Sequence, residues 1–414
     1  MKKQVVAIVQ LHDHHVGHMV LTRGGSRFYY TDRVDVSDHL VLGQAFEESP
    51  GAVRQERTGV PAWFANLLPE SGGALRRYIE QTLGRGQLDD PRLLLQLRTD
   101  LPGAVTLRVV EDPEIADQVL RSETVEDFGP EPDPDDHVRW SSLSGMQGKL
   151  SVPADRLSIP VRDRGTWWIA KLPDRANPNV PANEYIVMTW LARAGFEVPV
   201  PELAPARVIE GLPEGMATPD DLVYLIPRFD RSPDGPVHIE DFAQVLEVEP
   251  RFKYDMPGVG PHTVEGLGSI IAALTGESAF MEYIRRLVAM ILTGNNDAHL
   301  KNWSLIYRDG RTPELSPVYD FLSTTVYLRP YSPFALPWLG ETIFERISLD
   351  HVSALAERVG IDDGAARDTA ATTVDTLRRA WSETRVETDR FPAIRDHIDR
   401  RFRTLPLSTG KPVE

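Results

Sequence analysis

At 414 residues the chain can supply two or three domains of about 150 residues each, which excludes a single small module. Apolar residues at 41% and charged residues at 26% exclude a wholly disordered chain, and no run approaches the roughly 18 apolar residues of a membrane span. With 45 basic against 61 acidic residues the formal charge is -16, which argues against direct grip on DNA or RNA, and the absence of cysteine excludes disulfides, thiolate metal sites and a cysteine nucleophile.

Met1-Lys2-Lys3-Gln4 leads into the β-branched run Val5-Val6-Ala7-Ile8-Val9, which reads as a strand rather than a signal peptide, and a cytoplasmic protein is expected. Gly17 and Gly24-Gly25 signal turns, and Arg27-Phe28-Tyr29-Tyr30 resumes strand composition. Between these strands, His12-Asp13-His14-His15 with His18 reads as a surface hairpin rather than a metal site, because no carboxylate pattern accompanies it. Helical patterns follow at 62–68, 76–79 and 91–97, and the strand 105–110 closes a β-rich accessory subdomain, 1–110. Residues 111–137 are acidic and proline-rich, the composition of a solvated linker.

Short strands dominate 138–227, the expected small lobe, with one helix predicted over 183–194: Asn183 is a cap-type residue, Ile186, Val187, Trp190 and Leu191 are its apolar positions, and Gly195 follows its end. From 228 to 414 a mainly helical large lobe is expected, with helices at 241–246, 264–274, 279–293, 351–359 and 365–380. Phe280, Met281, Tyr283 and Met290 read as core, and Arg378-Arg379 and Arg400-Arg401 as helix-surface charges. The expectation is an α+β chain of two lobes with a cleft between them.

Chemistry concentrates in Gly294-Asn295-Asn296-Asp297-Ala298-His299-Leu300-Lys301-Asn302, with a second acid, Asp320, beyond the Asp309-Gly310 turn. Asp297 and Asn302 stand at the Asp-to-Asn spacing of a kinase catalytic loop, and Asp320 falls at the position of a metal-binding Asp. Phosphoryl transfer needs a carboxylate to orient or deprotonate the acceptor hydroxyl and hard oxygen ligands to hold Mg²⁺ against phosphates. Alone, each fragment reads better as turn or cap chemistry; together and in this order they favour phosphoryl transfer. Upstream, Trp167-Trp168-Ile169-Ala170-Lys171-Leu172 supplies a strand lysine, and Glu184, in the first turn of the predicted helix, would pair with it. Before that strand, Ser142-Leu143-Ser144-Gly145-Met146-Gln147-Gly148-Lys149 offers small residues that let backbone amides approach phosphates.

These segments, with Pro61-Ala62-Trp63-Phe64-Ala65-Asn66-Leu67-Leu68-Pro69-Glu70, Asp100-Leu101-Pro102-Gly103, Arg228-Phe229-Asp230-Arg231, Glu240-Asp241-Phe242-Ala243-Gln244 and Lys253-Tyr254-Asp255, resemble the HipA family over nearly the whole chain. HipA proteins are serine/threonine protein kinase toxins of bacterial toxin–antitoxin pairs. The resemblance implies a bilobal protein-kinase-like fold that binds ATP and Mg²⁺. It makes Asp297 the catalytic base, Asn302 and Asp320 the Mg²⁺ ligands, Lys171 the phosphate-binding lysine and His299 a cleft residue near the phosphates. Ser144, Gly145, Met146, Gln147, Gly148 and Lys149 would cover the phosphates, and Ser142, with Ser144 as second candidate, would be autophosphorylated to switch the enzyme off. It also implies a small helix-turn-helix antitoxin (HipB-like), DNA contacted only through it, and a protein substrate such as an aminoacyl-tRNA synthetase.

Two positions depart from the family pattern: Gly148 replaces a usual acid, and Pro227 a common Glu. Adenine would be held by the carbonyl of Pro227 and the amide of Phe229, both of which proline leaves intact. Two alternatives stay open, a kinase acting on a small molecule or lipid headgroup and a catalytically silent co-repressor scaffold.

Overall fold

The computed structural model describes residues 4–22, 25–31, 39–82, 87–121, 158–163, 166–173, 177, 179–209, 212, 216–254, 262–329 and 331–411. Its first apolar run becomes β1 (Gln4–Leu11), which turns at His12-Asp13 into β2 (His14–Thr22). With β3 (Gly25–Tyr30), β4 (Arg54–Glu56) and β5 (Val105–Val109) these strands form an antiparallel sheet of order β4-β3-β2-β1-β5. Alternation puts Ala7, Val9 and Leu11 on one face, where they bury with Trp63, Phe64, Leu93 and Leu94 of the helices Ala62–Ala65 and Asp90–Leu97. His18 stacks on Tyr29 at 4.8 Å on this sheet.

The other face buries Val6 and Ile8 against Val119 of a further helix, Pro113–Leu120, which corrects the reading of 111–137 as solvated from its start. Composition hid this helix. Asp112 caps it, accepting the Glu114 N–H at 2.8 Å, Pro113 suits its first turn, and Ile115, Ala116 and Val119 share one side.

In the small lobe β6 (Ser158–Asp163), β7 (Thr166–Lys171), β8 (Glu202–Pro205) and β9 (Leu222–Pro227) form a second antiparallel sheet of order β6-β7-β9-β8. The helix of this region spans Val180–Arg193 and so starts before Asn183. Pro181 is tolerated in its first turn, which leaves Asn183 inside the helix and Glu184 beyond the first turn. Asn183 works at long range instead, donating to Ser323 O and accepting from Ser323 N, both at 2.9 Å. The helix is built into the main core: Trp190 packs on Trp381 at 4.7 Å and donates its indole N–H to Leu377 O at 2.8 Å.

The large lobe begins with the hairpin of β10 (Arg231–Ser232) and β11 (Gly235–Pro236), then the sheet of β12 (His238–Asp241), β13 (Ser304–Tyr307) and β14 (Glu314–Leu315). Helices Val264–Thr275, Glu277–Thr293, Leu349–Val359 and Asp363–Glu383 lie where periodicity placed them. The Arg400-Arg401 pair lies on a further helix, Pro392–Thr404. Its buried positions Ile394, Ile398, Arg401 and Phe402 recur at helical spacing, so Arg401 occupies an inward site and is no surface charge. Arg378, by contrast, is exposed on its helix as expected, with its guanidinium over the Phe402 ring and donating to Ser408 O.

Polar groups join the N-terminal unit to the large lobe. Glu240 accepts from Gln44 N at 3.0 Å, from the Trp63 indole at 3.3 Å and from the Tyr307 hydroxyl. Burial nevertheless pushes its carboxyl up to about 7. Asp230 accepts the Gly103 N–H at 2.9 Å and pairs with Arg228 and Arg231, while Asp100 lies within 4 Å of both arginines. Burial alone would raise the Asp230 carboxyl, but the two guanidiniums hold it far below the usual range.

Candidate active site

Between the two sheets a cleft is lined on one side by Ile169, Ile226, Pro227 and Phe229 and on the other by Ile239, Ser304, Tyr319 and Asp320. Phe229 packs on Tyr319 with ring centroids 5.4 Å apart. Arg228 N–H donates to Trp167 O at 2.8 Å, so the Trp168–Pro227 pair is a non-hydrogen-bonded one and the Pro227 carbonyl turns away from β7. The Phe229 N–H has no hydrogen-bond partner among the described residues. An acceptor and a donor two residues apart thus border an apolar slot, which fits the edge of a purine ring.

At the inner end of the cleft the last residue of β7, Lys171, is buried between two acids. Its Nζ donates to Glu184 Oε1 at 2.6 Å and to Asp320 Oδ1, while Asn302 Nδ2 donates to Asp320 Oδ2 at 3.1 Å. Four of the residues singled out from sequence, Lys171, Glu184, Asn302 and Asp320, therefore meet at one point. Asp320 has φ of 59°, a left-handed backbone costing a non-glycine residue about 1 kcal/mol, and is held by these contacts and by the Asn295 amide on its carbonyl at 3.5 Å.

The segment 295–302 follows the left-handed Gly294 that ends the Glu277–Thr293 helix. Asn295 Oδ1 accepts the Asp297 N–H at 3.2 Å, so one side chain ties Asp297 to the Asp320 backbone. The Asp297 carboxylate is 4% exposed and accepts the Tyr254 hydroxyl at 2.9 Å. His299 packs edge-on against Tyr254 at 5.1 Å and shares reciprocal capping of the short turn Leu300–Asn302 with Asn302, whose Oδ1 accepts the His299 N–H at 3.3 Å. It is not among the residues lining the cleft. Ser142 and residues 144–149, with Asp255, lie outside the described residues.

Sequence reasoning gave no role to Asn295, Tyr254, Lys301 or Lys253. Lys301 Nζ is buried and donates to Asn66 O at 2.8 Å, Asn66 Oδ1 at 3.1 Å and Asp241 Oδ2 at 2.7 Å. Lys253 Nζ donates to Glu70 Oε1 at 2.8 Å, and its carbonyl accepts the Leu300 N–H. The N-terminal segment 61–70 thus braces the loop from behind. Its motif was visible in the sequence, but its partners lie about half the chain away or more.

The paired Asp320 and Asn302 side chains offer hard oxygen donors of the kind Mg²⁺ prefers. To ligate it, Asn302 would present its amide oxygen where its N–H now meets Asp320. Glu184 and Asp320 together exceed the single charge of Lys171, which leaves the cleft an anionic balance that a divalent cation would offset.

Comparison with known proteins bears on the family and the fold. A family model described as HipA-like C-terminal domain matches residues 141–381, and one described as HipA N-terminal domain matches residues 7–108. The chain is 34% identical to Y4dM of Sinorhizobium fredii across 98% of both chains, and 27% identical to Y4mE of the same organism across 84% of this chain and 85% of that one. Both relatives are named as candidate kinases. Among solved structures it is similar to a chain from the Shewanella oneidensis toxin–antitoxin complex of HipA, HipB and operator DNA, with a TM-score of 0.70 and 17% identity over 98% of each chain, which shows a shared fold.

Proposed function

The chain belongs to the HipA family, and on that premise we propose that it is an ATP- and Mg²⁺-dependent serine/threonine protein kinase, the toxin of a toxin–antitoxin pair. The observation that carries the reading is Lys171 clamped between Glu184 and Asp320, with Asn302 on Asp320, at the end of an apolar slot bordered by Pro227 and Phe229.

Bound ATP would supply the phosphoryl group, with Mg²⁺ on Asp320 and Asn302 offsetting its charge. Glu184 fixes the Lys171 ammonium toward the phosphates, and Pro227 O and Phe229 N–H orient the base. Asp297 takes the proton of the acceptor hydroxyl, held in place by Tyr254 and Asn295. His299 positions the loop through its cap on Asn302.

The HipB and operator DNA in the related structure support a HipB-like helix-turn-helix antitoxin as partner and DNA contact by way of it, consistent with the acidic charge of -16. Autophosphorylation at Ser142 or Ser144, a translation-related protein substrate and a cytoplasmic location complete the proposal.

The test is radiolabel transfer from Mg-ATP in a cell extract, followed separately into proteins and small molecules. Label should enter protein with wild type and not with Asp297→Asn. Transfer into metabolites or lipids alone would favour the other kinase class, and absence of nucleotide binding by calorimetry would favour a silent scaffold.

A further inference from the structure

A second pocket opens between residues 325–332 and the helix Pro392–Thr404, and it shares no lining residue with the cleft. Arg401 forms its inner wall, and Arg329 and Arg400, both exposed, stand at its edge. Three guanidiniums gather here in a chain of charge -16. Elsewhere in this lobe arginines are matched by acids, as in Arg286 with Glu282, Arg367 with Asp350 and Arg385 with Asp399. Among the described residues, no carboxylate lies within ion-pairing distance of Arg329, Arg400 or Arg401; Glu345 lines the pocket and acts on Arg401 through its charge, from beyond that distance.

Arg401 is 5% exposed and lies 4.6 Å from the centre of the Phe344 ring. Its Nε and Nη2 both donate to Ile291 O, leaving Nη1 without a hydrogen bond among the described residues. Burial brings this guanidinium down to about 10. The neighbouring His397 shares a hydrogen bond with Thr325 Oγ1 at 2.9 Å; burial and then the charges of Arg401 and Arg400 hold its imidazole down to about 4. A buried cation is expensive without a directly paired counter-charge, and a guanidinium's donor fork matches the oxygens of a phosphoryl or carboxylate group.

We propose that this pocket is an oxyanion-binding site, taking a phosphoryl or carboxylate group on Arg401 with Arg329 and Arg400 closing over it. The site adjoins the rear of the catalytic loop. Thr325 Oγ1 and Thr324 Oγ1 each donate to Gly294 O at 3.0 Å, Thr324 Oγ1 also accepts the Asn296 N–H at 2.7 Å, and Arg401 holds Ile291 O in the last turn of the helix before that glycine. An anion there would therefore bear on the backbone next to Asp297. The proposal rests on the pocket alone and is independent of the phosphotransfer reading.

Calorimetric titration of the full chain with inorganic phosphate tests it. Wild type and Lys171→Ala, which removes the cation of the other cleft, should bind phosphate alike. Combined Arg329→Ala and Arg400→Ala, both at exposed positions, should weaken binding roughly tenfold or more. Arg401→Gln should abolish it, provided that its circular dichroism matches wild type. Equal binding by the double-arginine variant, loss of binding in Lys171→Ala alone, or no binding by wild type would each overturn the proposal. A phosphoserine peptide that binds more tightly than phosphate through the same arginines identifies a polypeptide as the source of the group; equal affinity identifies a free anion, and both support the site.

Discussion

Lys301 donates to both the main-chain and the side-chain oxygen of Asn66, across 235 residues of sequence. The loop 295–302 is therefore held on its far side by the N-terminal unit, which is a structural part of the candidate site rather than an appendage to it.

Asn66→Ala should expose this dependence. It deprives the buried Lys301 ammonium of one acceptor and removes the Asn66 amide from Val248 O, where it donates at 2.7 Å. A loss of about 2 kcal/mol is expected. Urea denaturation gives the measure, and an unchanged midpoint would show that the brace carries no stability.

Glu184→Gln keeps the shape of the cleft but removes the charge that aims Lys171. Phosphate transfer should fall by roughly 100-fold, with a smaller effect on folding. Initial rates at saturating Mg-ATP decide the matter, and a rate equal to wild type would reduce the ion pair to a packing contact.

Glu240 makes stability depend on pH. Burial raises its carboxyl from 4.5 to about 7 in the folded chain, so the folded state binds the proton more firmly than the unfolded one. The contribution is full below pH 4.5 and is lost as pH rises through about 7. Glu240→Gln should remove this loss, shifting the stability difference between variant and wild type in the variant's favour by on the order of 3 kcal/mol from pH 4.5 to 8. Parallel pH–stability curves for the two proteins would contradict the assignment.

Gly294→Ala tests the turn that delivers the loop. The residue has φ of 70°, and an added methyl would collide with Thr325 Oγ1 and lie 3.0 Å from the Arg401 guanidinium. A destabilisation of about 2 kcal/mol or more is expected, seen as a lower melting temperature. A melting temperature within error of wild type would mean that the turn relaxes freely.

What the sequence revealed and what it hid follow from range and composition. Lys171, Glu184, Asn302 and Asp320 could be picked out because phosphate chemistry demands those side chains in a fixed order, and the fold brings them together. Asn295 and Tyr254 escaped because an amide and a phenol carry no such demand; their roles exist only once Asp297 is placed beside them. Asn183 looked like a cap because asparagine usually serves locally, whereas here it is spent on Ser323, 140 residues away. The helix Pro113–Leu120 vanished into an acidic average, since only three of its residues need be apolar to cover Val6 and Ile8. Arg401 was misplaced because charge suggests solvent, while its position on the helix Pro392–Thr404 dictates burial.

The helix that carries Glu184 is fastened to the large lobe by Trp190 on Trp381, Asn183 on Ser323 and Arg193 on Glu387. Lys171 rides on the sheet, whose far side keeps a small core in Ala170, Leu172, Val223 and Leu225, while its near side sends Tyr224 and Ile226 into the same main core as that helix. The ion pair thus joins two elements that share one core. A switch that works by parting Lys171 from Glu184 would have to open that core whichever of the two moved.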